Sequence, residues 1–130
     1  MRITATRPVE TILLVEDDPP IRRLIRRALE GQGYQVLAVP NGQQAMVVAE
    51  RHASEIDLLV TDVTLPDLHG VDLAYCLGAI MKVLFVCGQA EDDAGLRPDL
   101  RRTSILLNPF RADELQQSVR RVLDARLLAA

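Results

Sequence analysis

The chain has 130 residues, a formal net charge of −3, 48% hydrophobic and 25% charged residues. That length supports one core, the balance excludes a disordered polyelectrolyte, and the negative charge argues against an affinity built on neutralising nucleic-acid phosphates. No apolar run reaches the ~18 residues of a membrane span. Residues 1–10 lack the apolar stretch of a signal peptide, and Cys76 and Cys87, both among apolar neighbours, read as free thiols of a cytoplasmic protein.

The predicted elements alternate. A continuous apolar run at 12–15 reads as a buried strand. After it, Asp18 can cap a helix whose first turn accepts Pro19, with Ile21, Leu24, Ile25, Ala28 and Leu29 on one face and Arg22, Arg23, Arg26 and Arg27 on the other. Gly31 or Gly33 can end that helix in a left-handed turn. A second strand follows at 36–39. Asn41, with Gln44 three residues on, resembles a capping box opening a helix to about residue 53. The third strand is at 58–60, with a short helix expected over 71–79. A fourth strand covers 83–86. The next gap, 88–102, holds Gly95 and Pro98 without a clean period, so an irregular helix is expected there. The last strand, 105–107, precedes a long helix over 113–127, marked by Leu115, Val119, Val122 and Leu123. Five strands spaced for crossover helices form an α/β chain of (βα)₅ type, folded by right-handed crossovers into a doubly wound parallel sheet.

In such sheets ligands bind beyond the carboxyl ends of the strands. Strand one ends in Glu16, Asp17 and Asp18, and strand three in Asp62. One strand-end acid is most simply a cap or a solvated loop residue. A triplet that meets a second acid across the sheet edge is different, because gathered carboxylates repel unless a cation lies among them. Hard oxygen donors with an incomplete shell suit Mg²⁺, and an aspartate beside it can attack phosphorus to give an acyl phosphate.

Three ordered stretches carry a family likeness: Ile-Leu-Leu-Val-Glu-Asp-Asp-Pro at 12–19, Leu-Val-Thr-Asp-Val-Thr-Leu-Pro at 59–66 with Gly70, and Asn-Pro-Phe at 108–110. Together they resemble the receiver domain of two-component response regulators, especially receivers attached to hybrid histidine kinases. The likeness implies a flavodoxin-like fold with strand order 2-1-3-4-5. It implies Asp62 as phosphate acceptor, Glu16 and Asp17 as the acidic pair that holds Mg²⁺ together with Asp62, and the Thr64 backbone carbonyl as a further metal ligand. The domain would span 11–127, between tails at 1–10 and 128–130. Such a protein is no enzyme beyond its own phosphorylation and dephosphorylation. Its expected partner is a histidine kinase or phosphotransfer protein, with a homodimer through the fourth helix, fifth strand and fifth helix as a further expectation.

Three positions depart from the family pattern. Cys87 stands where a Ser or Thr hydroxyl meets the phosphoryl group, and S–H is a weak donor. Asn108 stands where a lysine pairs with phosphoryl oxygens, and Ile105 where an aromatic residue switches. Lys82, the single lysine, begins strand four and is expected at the wrong end of it. Metal binding should survive these changes, with phosphorylation slow and the switch atypical. The alternative is a degenerate receiver serving as a phosphorylation-independent binding or dimerisation module. A phosphatase of the haloacid-dehalogenase type would need a second aspartate where Thr64 stands, and neither a Walker lysine loop nor a Gly-x-Gly-x-x-Gly turn follows strand one. His69 reads as a solvated loop residue, and His52 as partly exposed late in the second helix.

Overall fold

Runs of Ile, Leu and Val too short for helices become the five strands of one parallel sheet, ordered β2-β1-β3-β4-β5. In the computed structural model, which describes residues 9–77, 81–88 and 103–125, these are β1 (Thr11–Val15), β2 (Gln35–Val39), β3 (Leu58–Asp62), β4 (Lys82–Gly88) and β5 (Thr103–Asn108). The described helices are α1 (Pro19–Glu30), α2 (Gly42–His52), α3 (Gly70–Leu77) and α4 (Ala112–Asp124), and a 3₁₀ turn at Ala53–Glu55 follows α2. The irregular helix expected over 88–102 falls at 89–102, outside the described residues.

The interior strand β1, between β2 and β3, is buried along its whole length, which explains its lack of alternation. Alternate residues of the sheet feed two cores. Leu13, Val15, Leu59 and Phe85 pack with α2 and α3, while Ile12, Leu14, Val60 and Leu84 pack with α1 and α4. The register aligns Val15 with Thr61, Asp62 with Val86, and Gly88 with Asn108, so the strands carrying candidate residues end along one rim.

Several local expectations are corrected. Asp18 occupies the cap position of α1 in extended conformation, yet its carboxylate makes no capping hydrogen bond. Pro19 and Pro20 fill the first two helical positions, and Pro20 removes one of the two N–H groups, that of the second position, which such a cap can engage. Of the two glycines considered as terminators, Gly33 takes the left-handed turn at φ 96°, whereas Gly31 is right-handed at φ −64°. Asn41 does cap α2, its Oδ1 accepting from the Gln44 N–H at 2.8 Å. The last helix stops at Asp124, short of 127, because Ala125 turns extended. Cys76 is exposed on α3 rather than set in apolar surroundings, while Cys87 is buried; neither forms a disulfide.

Two polar ties lie at the amino rim of the sheet. Arg120 of α4 donates to Glu10 at 2.9 and 3.0 Å and to the Tyr34 hydroxyl at 3.1 Å, joining the entries of β1 and β2 to the helix. Lys82, at the start of β4, donates to the carbonyls of Leu123 (2.6 Å), in the last turn of α4, and Ala125 (2.8 Å), just after it. No helix among the described residues is long and apolar enough to cross a membrane.

Candidate functional site

β1 and β3 are adjacent and in register, so their ends bring distant acids together. One carboxylate oxygen each from Glu16, Asp17 and Asp62 lies within 4.8 Å of the others. Their exposure is graded. Glu16 is 4% exposed, Asp62 is half-buried, and Asp17 faces solvent.

The backbone around these side chains is held from several directions. The Glu16 N–H donates to the Val39 carbonyl at 3.1 Å, fixing the end of β1 to the end of β2. The Glu16 carbonyl accepts from Nη1 of Arg22 at 2.8 Å, and its Oε2 accepts from the Asp18 N–H at 3.1 Å. Thr61, fully buried, donates its hydroxyl to the Asp62 carbonyl at 3.0 Å. After Asp62 the chain makes a narrow loop, closed by an antiparallel bridge between Thr64 and His69 and by the Gly70 N–H donating to the Val63 carbonyl at 2.6 Å. Gly70 is required there, since a Cβ would collide with the Asp62 carbonyl oxygen.

Electrostatics define what the pocket wants. Burial pushes the Asp62 carboxyl up to about 9, helped by the negative charge of Glu16 and by the hydrogen bond between the two. Burial likewise raises Glu16, with the hydrogen bond from Asp62 and the Asp18 N–H opposing that rise. Both carboxyls are therefore pushed toward the protonated form when no cation lies between them. A divalent cation held among these acids would supply the positive charge that the buried carboxylates lack. The donors are all hard oxygens on well-fixed strand ends, and the three carboxylates leave coordination positions for water and substrate oxygen. This set fits Mg²⁺ rather than a nitrogen- or sulfur-preferring metal.

The other predicted positions separate. Thr64 and His69 are exposed in the loop beside Asp62, and His52 is partly exposed, 2.9 Å from Glu55. Cys87 follows Val86, the register partner of Asp62, and its side chain is 3% exposed in the core shared with α2 and α3. Asn108 ends β5 opposite Gly88, and Ile105 stands earlier on that edge strand, 46% exposed. Lys82 lies at the amino end of β4, the far rim from Asp62, as its sequence position required. One residue near the site escaped the sequence reading. Asp67, in the loop after β3, accepts from the N–H groups of Gly42 (2.9 Å) and Gln43 (2.8 Å) at the start of α2. Those hydrogen bonds, Gly42 foremost, hold its carboxyl below the ordinary range. Nothing local announces this cap, because donor and acceptor are more than twenty residues apart.

Comparison with known proteins agrees with the fold. Residues 12–120 match the family model of the response regulator receiver domain. The chain is 35% identical over 124 residues to the response regulator receiver protein CpdR of Brucella abortus (strain 2308), covering 90% of this chain and 99% of that protein. It is 34% identical over 118 residues to the sensor kinase CckA of the same organism, covering 88% of this chain but only 12% of the kinase. The receiver domain of the hybrid histidine kinase CckA superposes with TM-score 0.74 at 30% identity, over 88% of this chain and 99% of that one. A response regulator receiver protein from Sinorhizobium medicae WSM419 gives 0.79 at 28% identity, over 90% and 96% of the two chains. The topology is the flavodoxin-like one, with strand order 2-1-3-4-5. Family match, full-length similarity and sheet order agree: this chain belongs to the response regulator receiver domains of two-component systems.

Proposed function

We propose that the chain accepts a phosphoryl group on Asp62 from a phosphohistidine of a histidine kinase or phosphotransfer protein. The observation that carries this reading is the convergence of the Glu16, Asp17 and Asp62 carboxylates at the carboxyl rim of the sheet. Glu16, Asp17 and Asp62, with the Thr64 backbone carbonyl, would hold Mg²⁺ in this reading. When bound, Mg²⁺ supplies the charge that lets three acids stay ionised together and offsets the charge of the incoming phosphoryl group. A deprotonated Asp62 oxygen then attacks phosphorus. The O–P bond forms as the N–P bond breaks, and the electron pair returns to the imidazole nitrogen, which takes a proton from solvent. The product is an aspartyl phosphate.

The reaction is slow in this reading. With Asn108 at the end of β5, no ammonium follows that strand to meet the phosphoryl oxygens, and the loss of one charge-assisted contact, about 1.5–3 kcal/mol, lowers a rate roughly ten- to a hundredfold. Cys87 and Ile105 make the response to phosphorylation atypical, since one offers a weak donor and the other no aromatic ring. The receiver unit is taken as 11–127. Labelling with acetyl phosphate and Mg²⁺, read as a mass gain of one phosphoryl group, tests the proposal. The gain should be slow in the wild type and absent in Asp62→Asn.

A second reading is favoured by one observation. Ile105 and Leu107 of edge strand β5 are 46% and 56% exposed, on the face of the sheet they share with Phe85 and Cys87. A degenerate receiver that docks or dimerises through β5 and the last helix would use them. Dimerisation that persists without Mg²⁺ and in Asp62→Asn, together with absent labelling, would select this reading over the first.

A further inference from the structure

Glu16 and Thr64 sit on different strands and loops, yet a continuous circuit of contacts joins them. The Glu16 N–H is bonded to the Val39 carbonyl, and β2 leads from Val39 through Asn41 into α2. The first turn of α2 is gripped by Asp67, whose two oxygens take the Gly42 and Gln43 N–H groups separately. Asp67 belongs to the loop that runs from Asp62 through Thr64 to Gly70.

Helix formation alone does not account for this grip. The first turn already has a local cap in Asn41, which takes the Gln44 N–H. Asp67 takes two further unpaired donors from a distance, so its contact fixes position between two elements. Leu68 adds a second pin. It packs over Gly42 so closely that a Cβ on Gly42 would lie 2.6–3.1 Å from its side-chain carbons. The base of the same loop is closed by the Thr64–His69 bridge and the Gly70–Val63 hydrogen bond. Base and tip are thereby both tied, the tip to the element that follows the Glu16 anchor.

We infer that Asp67 is a positioning residue, which by capping α2 from the β3–α3 loop sets the placement of Thr64 against Glu16, Asp17 and Asp62. The inference rests on the reading of these residues as the Mg²⁺ pocket. Asp67 itself touches neither metal nor phosphoryl group.

Calorimetric titration of the full chain with MgCl₂ tests it, with thermal melting recorded in parallel. Truncation of groups that orient metal ligands weakens affinity by about 10–100-fold, and Asp67→Ala is expected near the lower end, about tenfold. Asp67→Asn keeps one acceptor oxygen and should recover part of the loss. Gln43→Pro removes one donor from the opposite side, at a first-turn position where proline is tolerated, as Pro19–Pro20 are in α1. It should also weaken Mg²⁺ binding, and combined with Asp67→Ala it should add little, because both cut the same tie. If Asp67→Ala does not fold, Gln43→Pro decides. Mg²⁺ affinity within about twofold of wild type in the folded variants, whatever their melting temperatures, overturns the role of Asp67 and leaves the pocket intact. A wild-type protein that binds no Mg²⁺ overturns the pocket itself.

Discussion

The ammonium of Lys82 donates to the Leu123 carbonyl at 2.6 Å, at the rim of the sheet opposite Asp62. The single lysine of the chain is thus committed to closing the end of α4, where the last carbonyls and the helix dipole both favour a cation. It anchors structure, and the acidic pocket is left without an ammonium from this side chain.

Asn108→Lys should therefore restore a charge at the end of β5. Phosphorylation by acetyl phosphate in the presence of Mg²⁺ is expected to accelerate about ten- to a hundredfold, the value of one charge-assisted contact. Time-resolved intact mass measures it. An unchanged rate would show that the slow step lies elsewhere.

Lys82→Met should cost about 1–2 kcal/mol, read as a lower melting temperature, with labelling of Asp62 unaffected. Loss of labelling alongside retained stability would contradict the separation of the two rims.

Asp62→Asn should raise the melting temperature of the metal-free protein by a few degrees, the shift that about 1 kcal/mol produces in a domain of this size. A neutral amide removes the pressure on the buried pair and can still hydrogen-bond to Glu16. Mg²⁺ should stabilise the wild type and have little effect on the variant. Scanning calorimetry with and without MgCl₂ gives both numbers.

The pH dependence follows from the same pair. Asp62 holds its proton up to about 9 and Glu16 is raised as well, both by burial first, whereas the unfolded chain loses these protons near the ordinary carboxylate values. Between those limits the folded state binds more protons, so the pair's contribution to stability falls as pH rises through the window and levels off above about 9. Asp67 and Asp113 are shifted down, so their contribution is fully present across this window and is lost only as pH falls below it. Chemical denaturation from pH 5 to 9 should show the decline without Mg²⁺ and a flatter profile with it, because metal binding releases the proton.

Gly70→Ala should destabilise the protein by about 2–3 kcal/mol, since the added methyl meets the Asp62 carbonyl and backbone must move. Mg²⁺ affinity should fall in the same variant, as the displaced carbonyl belongs to the residue that closes the pocket. Denaturant melts and calorimetry on one sample report both effects.

Much of this was written in local pattern. Apolar runs at even spacing specify strands, their continuity specifies burial on both faces, and the acids at 16, 17 and 62 stand where parallel strands must end. Right-handed crossovers leave few orders for five such units, so the convergence of Glu16 and Asp62 follows from strand-end position once β1 and β3 are neighbours. The tertiary structure alone decided the rest. Gly33 rather than Gly31 took the left-handed turn, and Cys87 was turned into the core below the rim. Asp67 reached across to α2, Lys82 to α4, and burial raised the carboxyls of Glu16 and Asp62 together. Periodicity and turn chemistry act over a few residues and can be read along the chain. Hydrogen bonds between distant loops and the desolvation of paired acids exist only when folding brings them together.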